Sequence, residues 1–398
     1  MVSGGGRWRA LALLSLAVVL SMTTWFSATA VVPQLRADWA LSATATAWLT
    51  IAVQLGFVAG ALASSVVNLA DVVSARTVIL AGAVGAAGAN LLLVAASGPG
   101  TAIPLRFATG FFLAGVYPPA LKLIATWFRA GRGTALGAVV GALTLGSAAP
   151  HVVNGLGGLD WRLVAVVTSA LTVAGGAVAR FAVREGPFPF PRATFDPREV
   201  GRVLRNRGVR LASLGYFGHM WELYAMWAWF LVFFRDVTGS GGAWAAYATA
   251  ATIGVGALGC VAGGVLGDRW GRTATTAAAM ALSGACAVAI GLLAPLGAAV
   301  VLAVGLVWGV AVIADSAQFS TIVTELADPA YVGTALALQL AIGFTLTAAT
   351  IWLVPLVEAA VGWRWAFAIL APGPALGIVA MLRLRAAPEA AAVAGGRR

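Results

Sequence analysis

The sequence predicts an all-α integral membrane protein with twelve transmembrane helices in two pseudo-symmetric six-helix bundles. Three observations predict it. Of 398 residues, 61% are hydrophobic and only 10% charged, whereas soluble globular chains carry roughly 25% charged residues, and the mean hydropathy is +0.93. The apolar residues fall in blocks of about 20, the length a helix needs to cross roughly 30 Å of hydrocarbon. Alternating strand-like patterns of the kind that build barrels are missing. Finally, several short markers recur in the second half of the chain at nearly one offset.

Apolar blocks between charged or Gly/Pro punctuation place helices at 10–32, 44–67, 77–97, 102–128, 133–156 and 161–182, then at 210–234, 243–266, 274–294, 298–324, 332–356 and 363–382. The first block follows Arg7 and Arg9 and has small residues from Ser27 to Ala30, as a signal peptide would. Its apolar run is too long for a signal core, and eleven similar blocks follow, so it is expected to stay as a membrane helix. Between the two sets runs the longest polar stretch, Val183 to Val209, which is rich in Arg and carries Pro187, Pro189, Pro191 and Pro197. The domains are therefore an N-terminal bundle (1–182), a linker (183–209) and a C-terminal bundle (210–398).

An even number of spans puts both termini and the linker on one side. Lys and Arg concentrate in cytoplasmic segments, and nineteen of the 25 basic residues lie in the tails, the linker, the other loops of that side or the adjoining helix ends; Arg132, Arg202, Arg269 and Arg272 are examples. The expected localisation is a cell (inner) membrane, multi-pass, with cytoplasmic termini. The net charge of +11 then reflects topology and attraction to anionic lipid, so no nucleic-acid partner is needed. Cys260 and Cys286 lie inside apolar blocks, and no metal-ligand cluster, cofactor motif or nucleophile–base pattern occurs. The chain is not expected to be an enzyme, nor to hold a metal or cofactor.

The halves repeat. Gly133-Thr134-Ala135-Leu136 returns as Gly333-Thr334-Ala335-Leu336, 200 residues later; Trp161-Arg162 returns as Trp363-Arg364, 202 later; Asp71 is matched by Asp268, 197 later. Each marker stands at the same point of a six-span set, so the chain is a duplicated six-helix unit. Internal repeats that enclose a site near the midplane characterise secondary transporters.

Gly264-Val265-Leu266-Gly267-Asp268-Arg269-Trp270-Gly271-Arg272 fits the loop motif G-x-L-x-D-R-x-G-R between the eighth and ninth spans, and on it the chain resembles the major facilitator superfamily. The equivalent loop after the second span keeps Asn68, Leu69, Ala70, Asp71 and Arg76 but has Val67, Val72 and Ser74 where the family has Gly, Arg and Gly. Arg106, Gly110 and Gly115 are similar to the family's fourth-span pattern. The resemblance implies two bundles rocking about a midplane site, with the first, fourth, seventh and tenth helices lining it. It also implies that Asp71, Arg76, Gly264, Asp268, Arg269, Gly271 and Arg272 form gating latches. Trp127-Phe128 through Gly133-Thr134-Ala135-Leu136-Gly137 is distantly similar to nitrate/nitrite porters, but Val139, Val140, Ala142 and Thr144 replace their signature. Neither the second nor the eighth span has the substrate arginine. The Gly-Pro pair of drug antiporters is also missing from the fifth span, where Gly137, Gly141 and Gly146 lead to Ala149-Pro150.

Charges inside a bilayer cost on the order of 3 kcal/mol each on insertion scales, so each is a functional candidate. Glu222 stands at the middle of the seventh span among Trp221, Tyr224, Trp227 and Trp229; a carboxyl group there can hold and exchange a proton. His219, three residues earlier, shares its helical face, and the two form either a proton-coupling pair or a static packing contact. Asp315, with Gln318 three residues on, is a second proton site, a counter-charge for a cationic substrate, or a bridge to Arg106 or Lys122. Arg106 either forks onto a substrate carboxylate or similar anion, the favoured reading, or snorkels outward. Trp25, Gln54, Tyr117, His151, Trp221, Tyr224, Gln318 and Gln339 complete the candidate substrate contacts; Asn154 is a further polar residue within a span.

The expected function is proton-coupled uptake of a small polar solute, with an organic or inorganic anion favoured by Arg106 and Lys122. The alternatives are a proton-driven exporter of hydrophobic or cationic compounds and, from another class, a non-transporting membrane receptor. Expected partners are a small-molecule substrate, protons as coupling ion and membrane lipid, with the chain acting as a monomer.

Overall fold

The computed structural model describes residues 4–67, 69–128, 131–156, 160–188 and 196–397; the side chains of Ala70, Asp71 and Arg132 are not among those described. Asn68, Pro189 and Pro191 lie outside the described residues. The first bundle holds α1 (Gly6–Thr24), α2 (Ala43–Val66), α3 (Ala75–Ala95), α4 (Pro99–Ala125), α5 (Gly133–Leu156) and α6 (Trp161–Ala182). The second begins with α7 (Arg207–Thr238). It continues with α8 (Gly242–Trp270), α9 (Arg272–Leu296), α10 (Ala298–Leu326), α11 (Val332–Val361) and α12 (Trp363–Ala386). All but α7 are long and apolar enough to cross a membrane by composition alone. Helix α7 is long enough at 32 residues, but its terminal arginines and its His219 and Glu222 dilute its hydropathy.

Every span but the first sits within about five residues of its expected place; the first, expected at 10–32, ends as a continuous helical run at Thr24. Helix α7 starts three residues before the expected 210 because Asn206 caps it, its side chain accepting the Val209 N–H at 3.1 Å. The linker is not all coil: Pro197–Glu199 and Val200–Arg205 form short helical turns. They start where the Asp196 side chain accepts the Arg198 N–H.

Several spans are broken at mid-depth. In the first, the helix Gly4–Ser21 gives way to isolated turns before resuming at Val32–Trp39. The segment holds Thr23, Thr24, Ser27 and Thr29, whose hydroxyls compete for backbone carbonyls; Thr23 Oγ1 donates to Leu20 O at 2.8 Å. Helix α4 breaks after Leu113 and resumes at Tyr117, followed by Pro118 and Pro119, which lack the N–H a continuing helix needs. Helix α10 breaks at Asp315. Val116 and Asp315 are 199 residues apart, so the breaks in α4 and α10 stand at equivalent points of the repeat.

Packing repeats at the same offset. A Cβ on Gly60 would strike the Phe111 carbonyl and one on Gly259 the Val310 carbonyl; likewise Gly110 abuts the Val53 carbonyl and Gly309 the Thr252 carbonyl. These glycines let α2 lie directly on α4, and α8 on α10. Near the far ends of the bundles, Trp161 Nε1 donates to Asp38 at 2.8 Å and Trp363 Nε1 to Asp236 at 3.0 Å. Between bundles, α2 packs on α11 and α5 on α8. The duplicated sequence thus folds as a duplicated structure.

The close approach of α8 and α10 gives a direct expectation for stability. Gly309→Ala should destabilise the purified protein by about 1–3 kcal/mol through overpacking. Gly88→Ala, where a Cβ meets open space, should be neutral or gain up to about 1 kcal/mol of helix propensity. Thermal melting checks both, and equal melting of the two variants would contradict this packing.

Candidate functional site

Arg106 is fully buried in α4, and its donors are used within the first bundle. Nη1 donates to Thr24 O at 2.9 Å, Ser27 Oγ at 3.0 Å and Asn90 Oδ1 at 3.2 Å. Nε donates to Leu49 O at 3.3 Å, and Nη2 to Trp25 O. Two of the acceptors, the Thr24 and Trp25 carbonyls, lie where the first span unwinds. The sequence reading gives this guanidinium to a substrate anion; in this structure Nε, Nη1 and Nη2 are each engaged by groups of the first bundle. Asn90, which the sequence reading passed over, joins it to α6 through Ala165 O, Thr168 Oγ1 and Ser169 Oγ. A lone Asn in an apolar span was the available signal.

Glu222 does not pair with His219. Its Oε2 accepts from Ser283 Oγ of α9 at 2.8 Å and its Oε1 from Trp308 Nε1 of α10 at 2.7 Å. It therefore ties α7, α9 and α10 inside the second bundle, as Arg106 gathers α1, α3 and α4 inside the first. His219 turns instead to Asp315 at the α10 break, with Nδ1 2.8 Å from Oδ1. That contact is close without being aligned as a hydrogen bond, and His219 Nε2 has no hydrogen-bond partner among the described residues. Both side chains are nearly sealed from solvent.

Gln318 also leaves the place the sequence gave it beside Asp315. Its Oε1 accepts from Arg272 Nη1 at 2.8 Å and its Nε2 donates to Gly263 O at 3.2 Å. Trp221 donates to Ile369 O of α12, away from the seam between the bundles, and Asn154 is spent on Gln34 and Ala30 O. Tyr117 stands half-buried where α4 resumes.

Most of the remaining candidates share one property. Buried polar atoms are nearly always hydrogen-bonded, yet Trp25 Nε1, both amide atoms of Gln54, both ring nitrogens of His151 and Gln339 Nε2 have no partner among the described residues. Ser147 Oγ, Trp227 Nε1 and Thr252 Oγ1 are in the same condition. The sequence reading missed Ser147, although it lies one helical turn from His151. Aromatic rings accompany them across the seam. Trp25 lies 4.8 Å from Phe57, 5.9 Å from Tyr224 and 5.7 Å from Phe344, and Tyr224 lies 5.5 Å from Trp227. Rings from α2, α7, α11 and the broken first span therefore meet where the bundles meet.

At the face that bears the termini, the motif residues form a network. Arg272 contacts Asp268 at 3.3 Å and Glu325 of α10 at 3.0 Å, and Gly271 supplies the positive φ of 94° that turns the chain into α9. The Asp268 carboxylate lies against Gly133, so that a Cβ there would stand 3.1 Å from one of its oxygens. This places a carboxylate of the second bundle at the N-terminus of α5 in the first, where helix N–H groups are free and the dipole is positive. A Cβ on Gly264 would stand 3.3 Å from the Gly133 carbonyl oxygen, while Arg269 is exposed. The tail closes over the network: Ala394 N–H donates to Glu325 at 3.0 Å, and Arg397 donates to the Asp268 carbonyl. In the first half, Arg76 reaches Val183 O at 3.2 Å; the Asp71 side chain is outside the described ones.

Two six-helix bundles with broken helices and orphaned polar groups at their seam define a membrane transporter. The Major Facilitator Superfamily model matches residues 14–350, and the chain belongs to that superfamily. It is 29% identical over 212 residues to the probable actinorhodin transporter of Streptomyces coelicolor, covering 52% of this chain and 36% of that protein. It is 34% identical over 161 residues to the puromycin resistance protein pur8 of Streptomyces alboniger, covering 39% and 31%. The matched segments thus span about a third of each relative's length. A bacterial homolog of the human lysosomal transporter Spinster, in an inward-facing and unoccupied conformation, has the same fold with a TM-score of 0.70 at 16% identity, over 100% of this chain and 99% of that one. A second structure of that homolog, inward-facing and occupied, gives 0.68 at 17% identity over the same shares of the two chains.

If Arg106 is the pin of the broken helix, Arg106→Met should cost about 2–5 kcal/mol, because several buried acceptors lose their donor. The readout is melting of the purified protein. Unchanged melting with lost transport would return the guanidinium to the substrate.

Proposed function

We propose that the chain is a proton-driven exporter of aromatic organic compounds, neutral or cationic, working in a cell membrane with both termini cytoplasmic. The observation that carries this reading is the ring-lined seam, where Trp25, Phe57, Tyr224, Trp227 and Phe344 meet beside orphaned hydrogen-bonding groups. Aromatic faces bind planar ligands and attract cations. The uptake of an anion expected from sequence leaned on Arg106, whose donors are already occupied. The relatives' names, a probable actinorhodin transporter and a puromycin resistance protein, favour export over uptake.

The coupling role moves from Glu222 to Asp315 and His219. Glu222 has both carboxyl oxygens engaged within one bundle, whereas Asp315 sits at a helix break with a titratable ring 2.8 Å away. A proton taken up by this pair removes charge from the seam, and a cationic ligand and the proton then compete for it. Such competition makes each favour the opposite passage of the other. The Asp268 network, engaging α5 across the seam, would close the terminal face in one state and release it in the other.

Membrane vesicles test this with ethidium, a planar aromatic cation. Inverted vesicles energised by a proton gradient should accumulate ethidium in the wild type. Asp315→Asn should abolish accumulation yet keep ethidium exchange, while Glu222→Gln should lower accumulation, exchange and melting together. Accumulation surviving in Asp315→Asn would remove the coupling role. Accumulation of benzoate but not ethidium, in right-side-out vesicles, would restore the uptake reading.

A further inference from the structure

At the terminal face, a groove of about 500 Å³ lies between α7 and α12, lined by Arg207, Arg210, Leu211, Leu214 and Arg383. All three arginines are exposed. None of their guanidinium groups has a hydrogen-bond or ion-pair partner among the described residues. We propose that this groove binds the headgroup of an anionic phospholipid, and that the site is separate from the transport seam.

The arrangement matches such a molecule in both charge and depth. Arg207 and Arg210 are three residues apart and share a helical face, which Leu211 and Leu214 continue into the membrane. Leu214 is 53% exposed, and Leu382 beside Arg383 is 51% exposed. A phosphate therefore meets the guanidinium groups, which offer planar forks of donors to its oxygens, while acyl chains run down over leucines. A zwitterionic headgroup would bring its own cation into a groove already holding three. A nearby acid is Glu389, whose Cβ comes within 3.4 Å of a Cβ built on Gly208 and whose Oε2 is buried without a partner among the described residues. Arg385, with a buried and unpartnered Nη1, offsets it, so the groove stays positive. Basic pockets between membrane helices on the leaflet rich in anionic lipid are suited to this recognition.

The test uses the full-length protein purified in detergent, melted with dioleoyl-phosphatidylglycerol, dioleoyl-phosphatidylcholine or glycerol 1-phosphate. Ligands that bind the folded state raise its melting temperature. Phosphatidylglycerol should raise the wild-type melting temperature more than phosphatidylcholine does, and glycerol 1-phosphate at equal concentration should leave it unchanged. The combined variant Arg207→Ala, Arg210→Ala, Arg383→Ala should lose the extra shift. A variant with lysine at the same three positions should keep most of it, as should one with Arg184→Ala, Arg198→Ala and Arg205→Ala, which removes equal charge elsewhere. An undiminished shift in the groove alanine variant overturns the site, as does an equal loss in the control variant. An equal response to glycerol 1-phosphate overturns the lipid assignment. Should the groove alanine variant fail to fold, native mass spectrometry of the wild type decides. Phosphatidylglycerol retained after phosphatidylcholine is stripped supports the site, and loss of both together contradicts it.

Discussion

Hydrocarbon supplies no hydrogen bonds, so every polar group this chain takes into the membrane must find its partner within the protein. The Arg106 guanidinium meets that constraint most fully. The first span can unwind at mid-depth only because one side chain, projecting from α4, satisfies carbonyls at Thr24 and Trp25 together with Ser27. Unwinding in turn frees Trp25 and its neighbours to leave regular helix and present rings at the seam. In this structure Arg106 thus braces the unwound segment that carries Trp25.

The second bundle solves the same problem with opposite charge. Glu222 accepts from Ser283 and Trp308 and draws together the three helices that correspond to those gathered by Arg106. Ser283 Oγ also donates to Met280 O at 3.2 Å. Each bundle is consequently braced from within, while Trp25 Nε1, the Gln54 amide, the His151 ring and Gln339 Nε2 are among the buried groups without a partner among the described residues.

Much of the architecture was legible because its signals are physical and local. Block length gave the spans, and repeated markers gave the duplication; the Asp268 motif gave a network that the structure places across the seam, at Gly133. Of the polar residues singled out in apolar spans, Gln54, His151, Gln339 and Trp25 are buried with atoms that have no partner among the described residues. Partner choice was not legible. Spacing on one helix joined His219 to Glu222 and Asp315 to Gln318, yet each pair is divided by neighbours from other helices, with Asp315 taking His219 and Arg272 taking Gln318. The surroundings of Arg106 were hidden for a related reason, since three of its acceptors are backbone carbonyls, which leave no mark in residue identity.

The central claim is that a cationic ligand and a proton compete for Asp315 and His219 at the seam. Proton release on binding tests it most directly: ethidium added to purified protein in weakly buffered detergent solution, with the released protons followed by an indicator dye. About one proton per ethidium bound in the wild type, none in Asp315→Asn, and continued release in Glu222→Gln is the pattern this mechanism requires. Release that persists in Asp315→Asn and vanishes in Glu222→Gln would contradict it and place the exchanging proton on Glu222.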